Sequence, residues 1–175
     1  MENIEKKRQE VSAEEVAAAQ ARVLFLERNK RQLKKWAKRI PHKQRQKAKF
    51  ELKMLSVIAK IFAIGQTFEN VPVRDAILTA FTGFLMHESV KEFALTPEEF
   101  FSALQQRAEL YEKAWKTPHH EGPFWMIGKT CAEIVDPESA ISAIMTFDAA
   151  MWFQGELTFT IQALKGIKDD FEIVP

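Results

Sequence analysis

Apolar residues recur along this chain at three- and four-residue spacing, and capping residues, prolines or glycines mark where that spacing starts and stops. Ser12 followed by Glu15 has the spacing of a capping box, and no Gly or Pro follows until Pro41. One long helix is therefore expected over 13–39, ended by Pro41 because the residue before a proline is pushed out of the helical region. A second helix is expected over 43–64, with Gly65 as the residue that closes it. Its second half carries Phe50, Met54, Val57, Ile58, Ile61, Phe62 and Ile64, a band wide enough for burial on most sides, whereas 43–49 is almost wholly polar.

A third helix follows Pro72, with Val73, Ile77, Phe81, Phe84 and Leu85 at helical spacing. Thr96, Pro97 and Glu99 supply an N-cap, an N1 proline and the reciprocal N3 glutamate, so a fourth helix begins there, with Phe100, Phe101, Leu104, Ala108, Tyr111 and Trp115 as its stripe. Residues 117–123 read as a loop bounded by two prolines. A short fifth helix is expected over 124–135. Asp136 and Pro137 open a sixth, whose core positions are Ile141, Ile144, Met145, Met151 and Trp152. No stretch alternates with period two for long enough to predict a strand. The expected fold is all-α, a single-domain bundle of five to six helices over 1–175 with a long N-terminal helical hairpin, more than about 60% helix. Residues 1–11 and 166–175 are expected to be irregular tails.

Composition is consistent with one packed domain: 46% of the 175 residues are hydrophobic, including 14 Phe and 4 Trp. The single cysteine, Cys131, has no internal partner, and residues 1–10 lack the apolar stretch of a signal peptide, so a cytoplasmic location is expected. The longest run free of charged side chains, from Ala76 to His87, is 12 residues. A membrane-spanning helix needs about 20, so no transmembrane span is expected.

Net charge is only +1, but it is segregated. Residues 1–27 hold four Lys or Arg against six Glu, residues 28–53 hold twelve against one, and residues 54–175 hold nine against seventeen Asp or Glu. If the first two helices fold back on each other at Pro41, the 28–53 segment becomes a compact basic tip. Cations in the last turn of the first helix complement its dipole, whereas Lys43, Arg45 and Lys47 oppose that of the second, each by about 0.3–1 kcal/mol. Segregation of this kind speaks of partners rather than of fold.

The leading expectation is a non-enzymatic binding or regulatory protein that engages nucleic acid, DNA or RNA, through Arg31, Lys34, Lys35, Lys38, Arg39, Lys43, Arg45, Lys47 and Lys49. Basic side chains on adjacent helices can displace counterions from phosphates, and Trp36 among them could stack on an unpaired base. The alternative is an adaptor, chaperone or inhibitor whose tip docks on an acidic protein, aided by an apolar stripe of Leu26, Leu33, Trp36 and Ile40. A solvated helix face, neutralised by the acidic remainder of the chain within one molecule or across a homo-oligomer, would also account for the charge run.

Catalytic signals are thin. His119, His120 and Glu121 are metal-ligand types in one loop, yet adjacent histidines rarely converge and no helical His-x-x-x-His spacing completes a site, so neither metal nor cofactor is expected. Cys131 reads as a small buried thiol, and His87 with Glu88 as a helix end beside a surface carboxylate. Asp148 is anomalous because it shares a helix face with Ile144, Met145, Met151 and Trp152, where it could pair with a cation, cap a pocket or mark the stripe's solvent edge. No phosphate-binding Gly loop, Cys-x-x-Cys pair or nucleophile elbow is present. A small-molecule or metal-dependent enzyme is the third reading.

Overall fold

The computed structural model describes residues 8–137 and 142–175, without the side chains of 27–30, 37 and 142. The fold is 81% helical. Among the described residues it comprises strand β1 (Gln9–Ser12), helices α1 (Ala13–Leu24) and α2 (Glu27–Ala37), a 3-10 turn at His42–Gln44, helices α3 (Arg45–Thr67), α4 (Val71–Phe93), α5 (Pro97–Lys116), α6 (Pro123–Val135) and α7 (Ser142–Asp170), and strand β2 (Phe171–Val174). No helix in this set is long and apolar enough to cross a membrane. Asp136, expected with Pro137 to open the sixth helix, is instead the C-cap of α6, and Ile141 lies outside the described residues, as do the side chains of Arg28 and Lys30.

The caps form as their residue types require. The Ser12 hydroxyl accepts from the Glu15 amide at 3.1 Å while the Glu15 carboxylate accepts from the Ser12 amide at 2.9 Å. Thr96 and Glu99 repeat the arrangement at 3.2 and 2.8 Å ahead of α5. Asn70 caps α4 by accepting from the Val73 amide at 3.3 Å. Each cap satisfies amides that have no partner within the helix.

The expected long first helix is broken at Phe25 and Leu26, where the backbone leaves the helical region. The reason is a change of phase in the apolar pattern. In an unbroken helix, at about 100° per residue, Leu33, Trp36 and Ile40 would point roughly opposite to Ala13, Val16, Ala17 and Leu24. Both sets nevertheless pack into the core, with Trp36 half-buried. Breaking the helix lays α1 on α4 and lets α2 turn its other face to α3. Phe25 turns inward, edge-on to Phe93 at 6.3 Å, while Leu26 faces solvent.

The second helix also differs from expectation. It continues through Gly65 to Thr67, where the Phe68 amide donates to the Ile64 carbonyl at 3.1 Å and Phe68 itself is buried. Burial of Thr67 and Phe68 rewards the extra turn, and Gly65 is a solvent-facing interior residue rather than a terminator. The expected irregular C-terminal tail is likewise ordered. α7 runs through Gly166 to Asp170, and β2 pairs in parallel with β1, Gln9 opposite Phe171 and Ser12 opposite Val174. A four-residue strand whose partner lies some 160 residues away in sequence has neither the length nor the turn signal that pattern reading needs.

At the centre stands α3, which meets every other α-helix and buries Leu52, Met54, Leu55, Ile58 and Ile64 completely. α7 buries Met145, Ala149, Phe153, Leu157 and Leu164 against it and α6, so Ile144 and Met151, expected in the core, instead face outward. Helices α6 and α7 approach closely at Gly128 of α6. A Cβ there would fall 2.1 Å from the Thr146 carbonyl oxygen and 2.9 Å from the Ala150 side chain. Phe62, Trp115, Phe124 and Phe153 close that end of the core with edge-on and tilted ring contacts at 5.4–6.2 Å.

Two glycine substitutions test this packing in opposite directions. Gly65→Ala meets no atom within 4 Å and should raise stability by about 0.5–1 kcal/mol, whereas a helix-terminating left-handed glycine would lose stability on the same change. Gly128→Ala should cost about 1–3 kcal/mol or more, because the obstacle is backbone. Urea titration of both variants, with unchanged m-values, is the check.

Candidate functional site

The basic tip is formed by α2, the turn at residues 38–41, the 3-10 turn and the first turns of α3. Arg31, Lys34, Lys35, Lys38, Lys43 and Lys47 are exposed, and among the described residues none of these six has a salt-bridge partner. The other four predicted site residues are otherwise engaged or withdrawn. Arg45 folds back on the chain reversal, its Nε donating to the Ile40 carbonyl at 2.8 Å and its Nη2 to the Lys38 carbonyl at 3.4 Å, so it holds the turn together. Arg39 reaches Asp148 of α7 at 3.3 Å. Lys49 is half-buried.

Trp36 is also half-buried, and its indole N–H is buried with no hydrogen-bond partner among the described residues. The ring packs against the core rather than standing out as a platform for a base. Leu33 and Ile40, expected to share an exposed stripe with Trp36, are core residues. Among the four residues of that stripe, Leu26 alone is exposed, because it sits at the break between α1 and α2.

The feature that sequence reading missed lies beside the tip. Along the outer face of α7, Ile144, Phe147, Met151 and Phe159 are 51–63% exposed, a row rather than scattered single residues. Two adjoining hollows of about 280 and 390 Å³ run between this face and α2. They share Gln32, Met151 and Trp152, and so form one trough. Toward one end its walls are Leu26, Gly155 and Phe159; toward the other, Lys35, Trp36, Arg39 and Asp148. The Trp152 ring is fixed in place because its Nε1 donates to the Ser56 hydroxyl at 2.8 Å, which in turn donates to the Leu52 carbonyl at 3.1 Å. Asp148, the anomaly of the apolar stripe, therefore pairs with a tip arginine across the trough. The signal that could have revealed the row is phase: Ile144, Met151 and Phe159 fall on one side of a helix, Met145, Ala149 and Phe153 on another.

Two buried charges stand behind these surfaces. Lys60 is fully buried on α3, with its ammonium 3.3 Å from the Gln20 amide oxygen and 3.2 Å from the Thr160 hydroxyl. Burial pulls its pKa below the usual lysine value, and the charge of Glu156, which also lines the trough, opposes that shift. Glu51, fully buried on α3, accepts from Arg107 at 2.9 Å and from the Tyr111 hydroxyl at 2.7 Å. The Cys131 thiol, fully buried, lies close enough to Tyr111 and Glu51 to feel both electrostatically.

The loop histidines come closer together than their adjacency suggests. One ligand atom from each of His119, His120 and Glu121 lies within 4.8 Å of the others, and the imidazoles stack at 4.2 Å. The His119 Nδ1 already accepts the Glu121 amide at 3.2 Å, so its tautomer is held by the loop, and a metal bound there would have to displace that bond. No family model matches this chain, and no curated protein or solved structure is similar to it.

The buried thiol has a chemical consequence. Burial first, and then the Glu51 charge, raise the Cys131 pKa well above its ordinary 9.0, and burial, with Cys131 and Glu51 beside it, raises that of Tyr111 well above 10.0. Groups whose folded pKa exceeds the unfolded one stabilise the fold fully below the unfolded value and lose that contribution as pH rises. Stability should thus fall above about pH 9. Native Cys131 should react with a thiol reagent at pH 8 no faster than global unfolding exposes it. Labelling followed by mass spectrometry across a urea series, with thermal melts from pH 7 to 10.5, measures both. Rapid labelling of the folded protein would contradict the burial of the thiol.

Proposed function

We propose that this chain is a non-enzymatic interaction module that docks an acidic protein partner on its basic tip and the apolar surface beside it. The observation that carries this reading is adjacency: Lys35 and Arg39 at the edge of the basic tip line one hollow with Met151, which belongs to the exposed apolar row of α7. Protein interfaces combine an apolar centre with a charged rim that steers encounter, and this surface has both parts. A phosphate-binding face is polar and strongly positive instead. The packing of Trp36 removes the base-stacking contribution that favoured nucleic acid.

The exposed Lys34, Lys38, Lys43 and Lys47, taken alone, support a second reading in which the tip binds nucleic acid without sequence preference. The variant Lys34→Glu/Lys38→Glu/Lys43→Glu separates the two, since all three positions are exposed and should tolerate the change. Under the protein reading, cross-linking in the native cell enriches acidic proteins with wild type, and the variant loses at least tenfold of that yield whether or not nuclease is added. A labelled 16-nucleotide single strand should then show no binding near physiological salt. Nuclease-sensitive capture, with an affinity that falls by a logarithmic slope of about −0.7 per phosphate contacted, would move the function to nucleic acid. Capture that is indifferent to charge reversal would overturn both readings and leave the tip a solvated helix face.

A further inference from the structure

We infer that the trough between α2 and α7 seats one amphipathic helix of the partner, apolar toward α7 and acidic toward α2; this rests on the interaction-module reading above. The first argument is shape. From Asp148 to Phe159 the α7 wall is twelve residues long, about 17 Å at the helical rise, which is about three turns of a docked helix. Both walls are helices whose backbone groups are already used within them, so the trough offers no strand edge on which an extended peptide could add a ladder. Recognition must come from side chains, and a helix presents these at the i, i+3/4, i+7 spacing that a straight trough of this length accepts.

The second argument is the division of chemistry between the walls. Met151 and Phe159 stand exposed on α7 over the fixed Trp152 ring and would receive the apolar stripe. Lys35 and Arg39 edge the α2 side, where they would meet carboxylates flanking that stripe. Arg39 is already held toward the trough by Asp148 at 3.3 Å, with its side chain 66% exposed, so it can accept a second carboxylate without being rebuilt. A basic amphipathic helix would bring its cations against Lys35 and Arg39. A purely acidic peptide would leave the apolar row in water.

The probes are three 18-residue helical peptides, each labelled at one end. One carries Leu at i, i+4, i+7 and i+11 with Glu in the flanking positions; the second replaces those Glu by Lys; the third keeps the Glu and replaces the Leu by Ala. Titrated against the full chain by fluorescence polarisation, the first should bind at least tenfold more tightly than either control. Met151→Glu and Phe159→Glu, both at exposed sites, should each weaken it at least tenfold with thermal melts unchanged, while Phe101→Glu, exposed on α5, should not. In proton–nitrogen spectra the Trp36 and Trp152 indole signals should shift and that of Trp115 should not.

If the first peptide fails to bind, or binds with the same affinity after Met151→Glu and Phe159→Glu, the helix-in-trough inference is wrong. Tip-dependent capture of acidic proteins would in that case leave the broader reading standing, with a different part of the surface as its seat. A concentration-dependent rise in the molecular mass of the chain alone, abolished by Met151→Glu, would assign the face to a second copy and also overturn the inference.

Discussion

Two charges buried on one helix set the terms on which the rest of the molecule packs. Glu51 and Lys60 are both inaccessible on α3, and their separation of nine positions amounts to about two and a half helical turns, so they point to opposite sides. Glu51 takes its partners from α5, and through Tyr111 touches Cys131 of α6. Lys60 takes its partners from α1 and α7. Removing one partner of a buried ion pair costs about 3–5 kcal/mol, because the remaining charge cannot return to water. Helix α3 can therefore hardly rotate or slide without stranding one of the two charges. The helices on its two sides are held in register by directional bonds where apolar contact alone would tolerate slippage.

That constraint explains why α2 stands apart. The faces of α3 that carry Glu51 and Lys60 are covered by α5, α6, α1 and α7, and α2 rests on α3 with Leu33 lining a small hollow together with Lys53, Ser56 and Val57. Among the described residues its buried contribution is small, namely Leu33, part of Trp36 and the following Ile40. The other described side chains of α2, Arg31, Gln32, Lys34 and Lys35, are exposed and polar or cationic. Arg45, bonded to the carbonyls of the chain reversal, then does for the tip what a capping residue does for a helix end.

Much of this architecture is legible in the residues. The capping boxes at Ser12 and Thr96 and the loop before Pro123 are local signals, read correctly because their chemistry is completed within a few residues. The break between α1 and α2 was legible in principle, since the apolar pattern changes phase between Leu24 and Leu33, but no Gly or Pro announces it. The β1–β2 pair was not, because a four-residue parallel ladder depends on where distant segments come to rest. Gly65 misled for a related reason: its role depends on Phe68, whose burial is a tertiary fact. At the surface, charge segregation located the basic tip, yet it could not say that Arg39 crosses to Asp148 or that Arg45 closes a turn. The α7 row is hidden in the sequence because Ile144, Met145, Met151 and Trp152 read as one stripe, although Ile144 and Met151 belong to the outer side and Met145 to the core.

The tip is therefore best understood as a surface that the fold tolerates and does not require. α3 begins with no acidic residue in its first turn and carries Arg45 and Lys47 there, against its dipole, at a cost of about 0.3–1 kcal/mol for each exposed charge at low salt. Burial of the α3 core and the two internal charge networks supplies stability far from that end, so this local penalty is affordable. The same separation applies to α7, whose inner side chains pack against α3 and α6 while its outer row contributes nothing to the core. Exposed Phe147, Ile144 and Phe159 add no folding energy and make contact with other chains easier. Basic side chains on one wall, Lys35 and Arg39, and unused apolar area on the other, meeting along one trough, are both engaged by a single event: association with a surface that is acidic where the tip is basic and apolar where α7 is apolar.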